Sequence, residues 1–238
     1  MLYIMRHGRT VWNMEHKLQG KTDVPLSEAG RPVVEQAAAA YRNTHIDVCY
    51  CSPLIRAVET AEIVLRGREI PIITDVRLEE MGFGICEGTT DFQDNPDNPI
   101  YPLFAAPETY RIPVEGGESL EDLYARTGAF LKEVIEPQLR QGKDILIVGH
   151  GAMNASIVCQ IKDIPVKDFW SVKMKNAELA RLLNISDNQL SYISGVDFGH
   201  GLLKCGSTIV PFVDHFPKNG RLYQLMTTKM SERVEQAS

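Results

Sequence analysis

The first apolar run of the chain is Leu2-Tyr3-Ile4-Met5-Arg6-His7-Gly8-Arg9-Thr10, which stops abruptly at an Arg-His-Gly tripeptide. The glycine directly after the run favours a strand that ends in a turn. We therefore interpret it as a buried strand that delivers His7 to a loop between two arginines. The arginines would hold this imidazole neutral and attract an anion, and a neutral imidazole can attack phosphorus. A solvated basic loop is the alternative interpretation of these residues alone.

A second apolar run, 46–51, ends at Ser52-Pro53. A hydroxyl residue followed by proline is a helix-start signal, with the serine as N-cap and the proline at the first helical position. Arg56 would then lie in the first turn. Because the helix dipole is positive at the N-terminus, an arginine there fits better beside a bound anion. An exposed arginine without a role is the simpler alternative.

A third run, 145–148, is the clearest buried parallel strand and ends, like the first, at a His-Gly pair, His150-Gly151. Strands that alternate with helices predict an α/β sheet with helices on both faces. In such sheets ligands bind beyond the carboxyl ends of the strands. If the three strands are neighbours, Arg6, His7, Arg56 and His150 meet at one edge beside a helix N-terminus. That arrangement predicts a cationic pocket for one phosphoryl group.

The remaining segments predict one domain over residues 1–238, since we find no repeat and no low-complexity linker. Residues 88–118 are irregular and rich in proline, which is typical of a lid or binding loop. Residues 197–238 form a C-terminal extension with little pattern. The expected further elements are a helix capped by Ser27, a helix from Ser119 to about Leu139, strands over 178–185 and 190–194 joined around Asp187-Asn188, a strand over 208–213, and a frayed end over 231–238.

Composition excludes several functional classes. The net charge of −6 argues against a nucleic-acid or anionic-membrane partner. The sequence contains no apolar run of 18 residues, so we expect no membrane span. The N-terminus has no basic segment before its first strand, so we expect no secretory signal and a cytoplasmic protein. The five cysteines form no C-x-x-C pair and are expected to be reduced. The six histidines lack metal-ligand spacing, so no metal is expected.

Five groups of residues occur in a characteristic order along the chain: Arg6-His7-Gly8 with Thr10, Asn13, Gln19-Gly20 and Asp23 to Gly30; Ser52-Pro53-Leu54-Ile55-Arg56-Ala57 with Thr60-Ala61; Arg77-Leu78-Glu79-Glu80 with Gly84 and Glu87-Gly88; Gly116-Gly117-Glu118-Ser119; and Val148-Gly149-His150-Gly151. Together they resemble the histidine phosphatase superfamily, the phosphoglycerate mutase-like family. The resemblance covers about residues 1–185, and the tail after Asp197 lies outside it. It implies a three-layer αβα sandwich with a mostly parallel central sheet.

The resemblance also implies a mechanism. His7 would attack phosphorus and become phosphohistidine, while the phosphoryl oxygens would be bound by Arg6, Asn13, Arg56, His150 and Gly151. Glu80 would protonate the leaving oxygen and then take a proton from water; it is chosen over Glu79 because the family pattern is Arg-Leu-x-Glu. Thr10, Gln19 and Gly20 would form a substrate loop. No cofactor or metal is implied, because arginines supply the positive charge.

The same pocket serves hydrolysis and phosphoryl transfer. A mutase needs extra cations in its lid, whereas the stretch between Arg77 and Arg126 contains one basic residue, Arg111, and many carboxylates. We therefore expect a hydrolase of a small phosphorylated metabolite, with Lys17 and Lys21 as residues that could add charge. A phosphoglycerate mutase, or a non-catalytic phospho-ligand binding module, is the alternative. The apolar strand over 208–213 could serve a homodimer edge.

Overall fold

The structure is a computed structural model that describes residues 1–111, 113–183, 200–205 and 208–213. The chain divides into two compact units, Met1–Asn184 and Ile185–Ser238. The prediction of one domain with an extension from residue 197 stays a prediction. Among the described residues, no helix is long and apolar enough to cross a membrane.

The first unit is built on a five-stranded sheet. Its strands are β1 (Leu2–Arg6), β2 (Val48–Cys51), β3 (Ile72–Thr74), β4 (Ile145–Gly149) and β5 (Leu179–Leu183), in the spatial order β3-β2-β4-β1-β5. The first four strands pair in parallel, and β5 runs antiparallel to β1. The expected mostly parallel sheet is confirmed, and the strand expected over 178–185 is β5.

Helices connect these strands. They are α1 (Val11–Met14), α2 (Gly30–Ala40), α3 (Ile55–Val64), α4 (Tyr101–Ala105), α5 (Leu120–Phe130), α6 (Glu136–Arg140) and α7 (Gly151–Lys162). A π-helical turn over Leu131–Ile135 joins α5 to α6 without a break, so the helix predicted from Ser119 to about residue 139 is confirmed as one continuous helical segment. The Ser119 hydroxyl caps it by accepting from the Asp122 N–H at 3.1 Å. Short 3₁₀ turns lie at Val76–Leu78, Gly84–Cys86, Pro107–Thr109 and Val166–Ser171.

Both faces of the sheet are covered, because successive residues of each strand point to opposite faces. On β1, Ile4 packs into a core that includes Leu123 of α5 and Ile157 of α7. The next residue, Met5, packs into a second core with Val34 of α2 and Ala57 of α3. Burial on both faces explains why the sequences of these strands are continuous apolar runs. The three layers predicted from the sequence are present.

Two helix starts differ from the sequence prediction. Helix α3 begins at Ile55 with Leu54 as its N-cap, not at Ser52-Pro53; the Ser52 hydroxyl accepts from the Leu54 N–H at 3.2 Å. The Asp23 carboxylate accepts from the Ile55 N–H at 2.7 Å, so this helix receives its acceptor from a distant loop. Helix α2 likewise begins after Ala29, while the Ser27 hydroxyl accepts from the Gly30 N–H.

The second unit contains an antiparallel pair of strands, β6 (His200–Cys205) and β7 (Thr208–Val213). The strand predicted over 208–213 is thereby confirmed. The strand predicted over 190–194, its turn at 187–188 and the frayed end over 231–238 lie outside the described residues.

Candidate active site

The first histidine sits where β1 ends. Arg6 is opposite Gly149 in the parallel register of β1 and β4, so the residues that follow each strand leave the sheet at the same level. The His7 N–H donates to the Gly149 carbonyl at 2.9 Å. The rings of His7 and His150 lie with their centroids 5.1 Å apart. The structure thus brings together the two histidines that the sequence placed at separate strand ends.

His7 is only 3% exposed. Its Nδ1 lies 2.6 Å from the Gly8 carbonyl, which can only accept, so Nδ1 carries the proton and Nε2 keeps its lone pair. Burial, followed by the charges of Arg56 and Arg6, holds the pKa of His7 well below its usual value. The side chain is therefore a neutral imidazole with a fixed orientation.

His150 has the opposite tautomer. The Arg56 Nε donates to His150 Nδ1 at 3.2 Å, so the ring proton must be on Nε2. That Nε2 is buried and has no hydrogen-bond partner among the described residues. Burial and the neighbouring Arg56 hold the pKa of His150 well below its usual value. The site therefore presents one unused N–H donor beside one unused imidazole lone pair.

Arg56 is completely buried and is held from three sides. Besides its contact with His150, its Nη1 donates to the Thr22 carbonyl at 2.9 Å and its Nη2 donates to the Gly20 carbonyl at 2.7 Å. A guanidinium has five N–H groups, so two remain for an anion. Burial lowers the pKa of Arg56 from its usual value, an effect opposed by acidic neighbours that include Glu80.

Glu87 braces the loop that holds Arg56. Its carboxylate accepts from the backbone N–H groups of Lys21 and Thr22, each at 2.9 Å, and from that of Phe83 at 3.1 Å. Gly20 has a φ of +56° in this loop, and a Cβ there would collide with the Glu87 side chain. Glycine is therefore required at position 20 by the conformation of this loop and by the space that Glu87 occupies.

Arg6 completes the cationic pair. Its Nη1 donates to the Met174 carbonyl at 3.1 Å, while its Nε is buried without a partner among the described residues. Burial lowers the pKa of Arg6, and the charge of Glu80 acts in the opposite direction. Free donors on a partly buried guanidinium that is held by a backbone carbonyl are well suited to bind a tetrahedral oxyanion.

Glu80 faces the start of α7. Its carboxylate accepts from four backbone N–H groups: Met81 and Met153 at 2.9 Å each, Gly151 at 2.8 Å and Ala152 at 3.2 Å. Helix N-termini carry unpaired N–H groups and a positive dipole end, so this contact orients and stabilises a carboxylate. The Gly151 N–H is therefore one of the four backbone donors that hold the Glu80 carboxylate.

The predicted first loop is divided by the structure. Asn13, Gln19 and Gly20 line the cleft, whereas Thr10 is completely buried behind it. Thr10 caps α1 by accepting from the Asn13 N–H at 3.1 Å, and its hydroxyl donates to Gln19 Oε1 at 3.0 Å. The Asn13 Oδ1 accepts from the Thr10 N–H at 3.1 Å, which leaves the amide Nδ2 as its group for an anion.

The cleft in front of the histidines is a cavity of about 850 Å³. One wall comes from the expected lid, residues 88–118, through Phe92, Tyr101 and Phe104. Phe104 stacks on Trp170 with ring centroids 5.1 Å apart, and Phe92 lies 4.9 Å from Phe104. We call Phe92, Phe104 and Trp170 the aromatic wall.

Basic residues also line the cavity, namely His16, Lys17 and Lys173. Lys17 forms an ion pair with Glu15 at 2.8 Å and lies over the Trp12 ring. Sequence analysis missed Lys173 and Trp170, because the segment before β5 has no pattern that sets them apart. It also gave no role to Arg126, which contacts three backbone carbonyls and the Glu118 carboxylate. No cluster of three potential metal ligands occurs in the described part of the chain.

Comparison with known proteins places this geometry in context. The model of the histidine phosphatase superfamily (branch 1) matches residues 2–192. A 2,3-bisphosphoglycerate-dependent phosphoglycerate mutase of Cytophaga hutchinsonii is 32% identical over 81% of this chain and 93% of its own length. Phosphoserine phosphatase 1 of Hydrogenobacter thermophilus is 28% identical over 74% of this chain and 82% of its own. The solved structure of Bacillus stearothermophilus YhfR superposes with a TM-score of 0.67 at 30% identity, covering 89% of this chain and 95% of that one.

Proposed function

This chain belongs to the histidine phosphatase superfamily, and from that premise we propose that it is a phosphomonoester hydrolase that works through phosphohistidine at His7. The observation that carries the proposal is that His7 and His150, at the carboxyl ends of β1 and β4, have opposite tautomers. His7 offers a lone pair on Nε2, and His150 offers an N–H on Nε2. The buried Arg56 and the partly buried Arg6, both with unused donors, complete a site for one phosphoryl group.

In the first step the His7 Nε2 attacks phosphorus and the bond to the leaving oxygen breaks. Arg6, Arg56 and the His150 N–H bind the equatorial oxygens and offset their charge in the transition state. Glu80, in its protonated form, gives its proton to the leaving oxygen. The products are the free alcohol, phosphohistidine and the Glu80 carboxylate.

In the second step water attacks the phosphohistidine and the P–N bond breaks. The Glu80 carboxylate accepts the proton that water releases, which restores the acid and frees inorganic phosphate. The four backbone N–H groups around Glu80 suit this carboxylate state. Arginines supply the positive charge in both steps, so the cycle balances without a metal.

The cavity wall supports hydrolysis of a substrate whose leaving group is partly apolar. The aromatic wall contributes three aromatic side chains to the lining of the cavity, and the Trp170 Nε1 already donates to the Leu103 carbonyl at 2.7 Å. The charge of Lys17 is compensated by Glu15. Anionic groups beyond the phosphoryl group therefore find few free cations among the described residues of this wall.

A phosphoglycerate mutase is the second candidate, and two observations favour it. The Cytophaga hutchinsonii relative carries that name at 32% identity. Lys173 lies in the cavity wall, where it could bind a carboxylate. A mutase would need this second anion contact, whereas the proposed hydrolase does not.

The test is phosphate release from a panel of phosphomonoesters in the presence of EDTA, for the wild type, His7→Ala and His45→Ala. His45 is an exposed histidine that precedes β2, at the opposite end of this strand from the site, and serves as the matched control. We expect release by the wild type and by His45→Ala, and none by His7→Ala. Stable labelling of His7 with phosphoglycerate isomerisation and negligible release would favour the mutase. If phosphate is not released and His7 is not labelled, the chain would instead be a non-catalytic binding module.

A further inference from the structure

The segment that carries Glu80 is irregular, and Arg126 holds its backbone from outside. Arg126 lies on α5, and its guanidinium reaches across to three backbone carbonyls of this segment. Nη1 donates to the Arg77 carbonyl at 2.6 Å and to the Glu79 carbonyl at 2.8 Å, and Nη2 donates to the Glu80 carbonyl at 3.2 Å. One planar side chain therefore holds the backbone of Glu80 and of the residues just before it.

Glu118 fixes that guanidinium and also holds the other side of the segment. Its two carboxylate oxygens accept from Arg126 Nε at 2.5 Å and from Nη2 at 2.9 Å. The same carboxylate accepts from the Gly82 N–H at 3.1 Å, and the Glu118 N–H donates to the Gly82 carbonyl at 2.8 Å. We call Glu118 and Arg126 the clamp.

The clamp is largely shielded from water, since the Arg126 and Glu118 side chains are 17% and 12% exposed. A bidentate pair in this setting is directional and better ordered than an exposed ion pair. Its contacts lie on both sides of Glu80, whose own carboxylate points to the start of α7. The clamp is therefore placed to set the position of the carboxylate without touching substrate.

We propose that Arg126 and Glu118 are positioning residues that hold Glu80 where it can transfer a proton to the leaving oxygen. This inference rests on the proposed function, in which Glu80 is the general acid. A misplacement of about 1 Å can cost roughly 100-fold in rate. A lysine at position 126 keeps the charge but cannot reproduce the planar fork that serves three carbonyls and a carboxylate.

The dependence on the leaving group tests the proposal. An aryl phosphate such as p-nitrophenyl phosphate releases a stable phenolate that needs little proton transfer, whereas an alkyl phosphate needs the acid. We measure kcat/KM, which covers the steps up to departure of the leaving group, for both substrates. The variants are Arg126→Lys and Glu118→Gln, with Glu80→Gln as reference and Arg140→Lys as control, since Arg140 forms an exposed pair with Glu136.

We expect Arg126→Lys and Glu118→Gln to lose about 10- to 100-fold in kcat/KM for the alkyl phosphate and less than about 3-fold for the aryl phosphate. Glu80→Gln should show the same selectivity with a larger loss, and Arg140→Lys should resemble the wild type. Thermal unfolding of each variant confirms that it is folded during the assay.

An equal loss for both substrates in the clamp variants, with Glu80→Gln still selective, would overturn the proposal and assign the clamp a purely structural role. An equal loss for both substrates in Glu80→Gln would instead refute Glu80 as the general acid, and the positioning role would fall with it. The two failures are thus distinguished by the Glu80 variant alone.

Discussion

Replacing Arg56 by lysine should damage both stability and catalysis, although the charge is kept. Arg56 is completely buried and donates to His150 Nδ1 at 3.2 Å, to the Thr22 carbonyl at 2.9 Å and to the Gly20 carbonyl at 2.7 Å. A single ammonium cannot reach three acceptors that lie on different sides of a planar fork.

The stability loss follows from the acceptors that are left behind. If lysine keeps one of the three, two buried acceptors lose their donor, and each costs about 1–3 kcal/mol. We therefore expect the free energy of unfolding to fall by about 2–6 kcal/mol in Arg56→Lys. Urea unfolding at pH 7 measures it. Arg31→Lys, which alters a half-exposed pair with Glu59, should stay within about 1 kcal/mol.

The catalytic loss is larger than that of one missing contact. Removing one preorganised donor from an oxyanion site typically costs about 10²–10³ in rate. Arg56→Lys removes the fork and also the contact that keeps the His150 proton on Nε2, so we expect kcat/KM for an aryl phosphate to fall by at least about 10³. The assay is run where circular dichroism shows the variant folded. A stability change below about 1 kcal/mol with less than a 10-fold loss of kcat/KM would refute this account of Arg56.

Two further predictions concern the fold around the site. Gly84 has a φ of +50°, and a Cβ there would meet the Glu115 carbonyl, whereas Gly67 has a φ of +75° with nothing within 4 Å. In Gly67→Ala the free energy of unfolding should therefore fall only by the cost of a left-handed residue, roughly 1–2 kcal/mol. In Gly84→Ala it should fall by about 1–3 kcal/mol more, as measured by chemical unfolding. Because the pKa of His7 and of His150 is lowered by folding, the unfolded chain binds protons below about pH 6.5 that the native protein does not. The free energy of unfolding should fall as the pH is lowered below that value, by up to about 1.4 kcal/mol per pH unit for each histidine, and the slope should flatten in a variant with both histidines replaced by glutamine. Equal losses in the two glycine variants, or an unchanged slope, would contradict these readings.

In the proposed reaction, the residues that would bind the phosphoryl group lie at strand ends and at one helix start of the first unit. The residues that would contact the leaving group, in the lid and at Trp170, lie in less regular segments. Substrate preference in this chain should therefore respond to changes in the aromatic wall before it responds to changes among the residues proposed to bind the phosphoryl group.

Strands β1, β2 and β4 were predictable because their signal is local. Each is a run of four or five apolar residues, and burial on both faces removes the alternation that would otherwise blur it. The polar residue that ends a buried strand is equally visible, which is why His7 and His150 could be identified. Parallel strands then bring such ends to one edge of the sheet.

The sequence by itself predicted the α/β class, the histidine that we propose as the nucleophile and the residues that could surround a phosphoryl group. The tertiary structure alone decided how these residues are held, because many of their partners are far away in the sequence and several of those partners are backbone atoms that carry no residue type. Asp23 caps α3 from another loop, Thr10 is buried instead of lining the cleft, and Arg126 binds carbonyls about 50 residues away. The tautomer of His7 is set by the carbonyl of the next residue, Gly8, whereas that of His150 is set by the Arg56 guanidinium, which only the fold brings into contact with it.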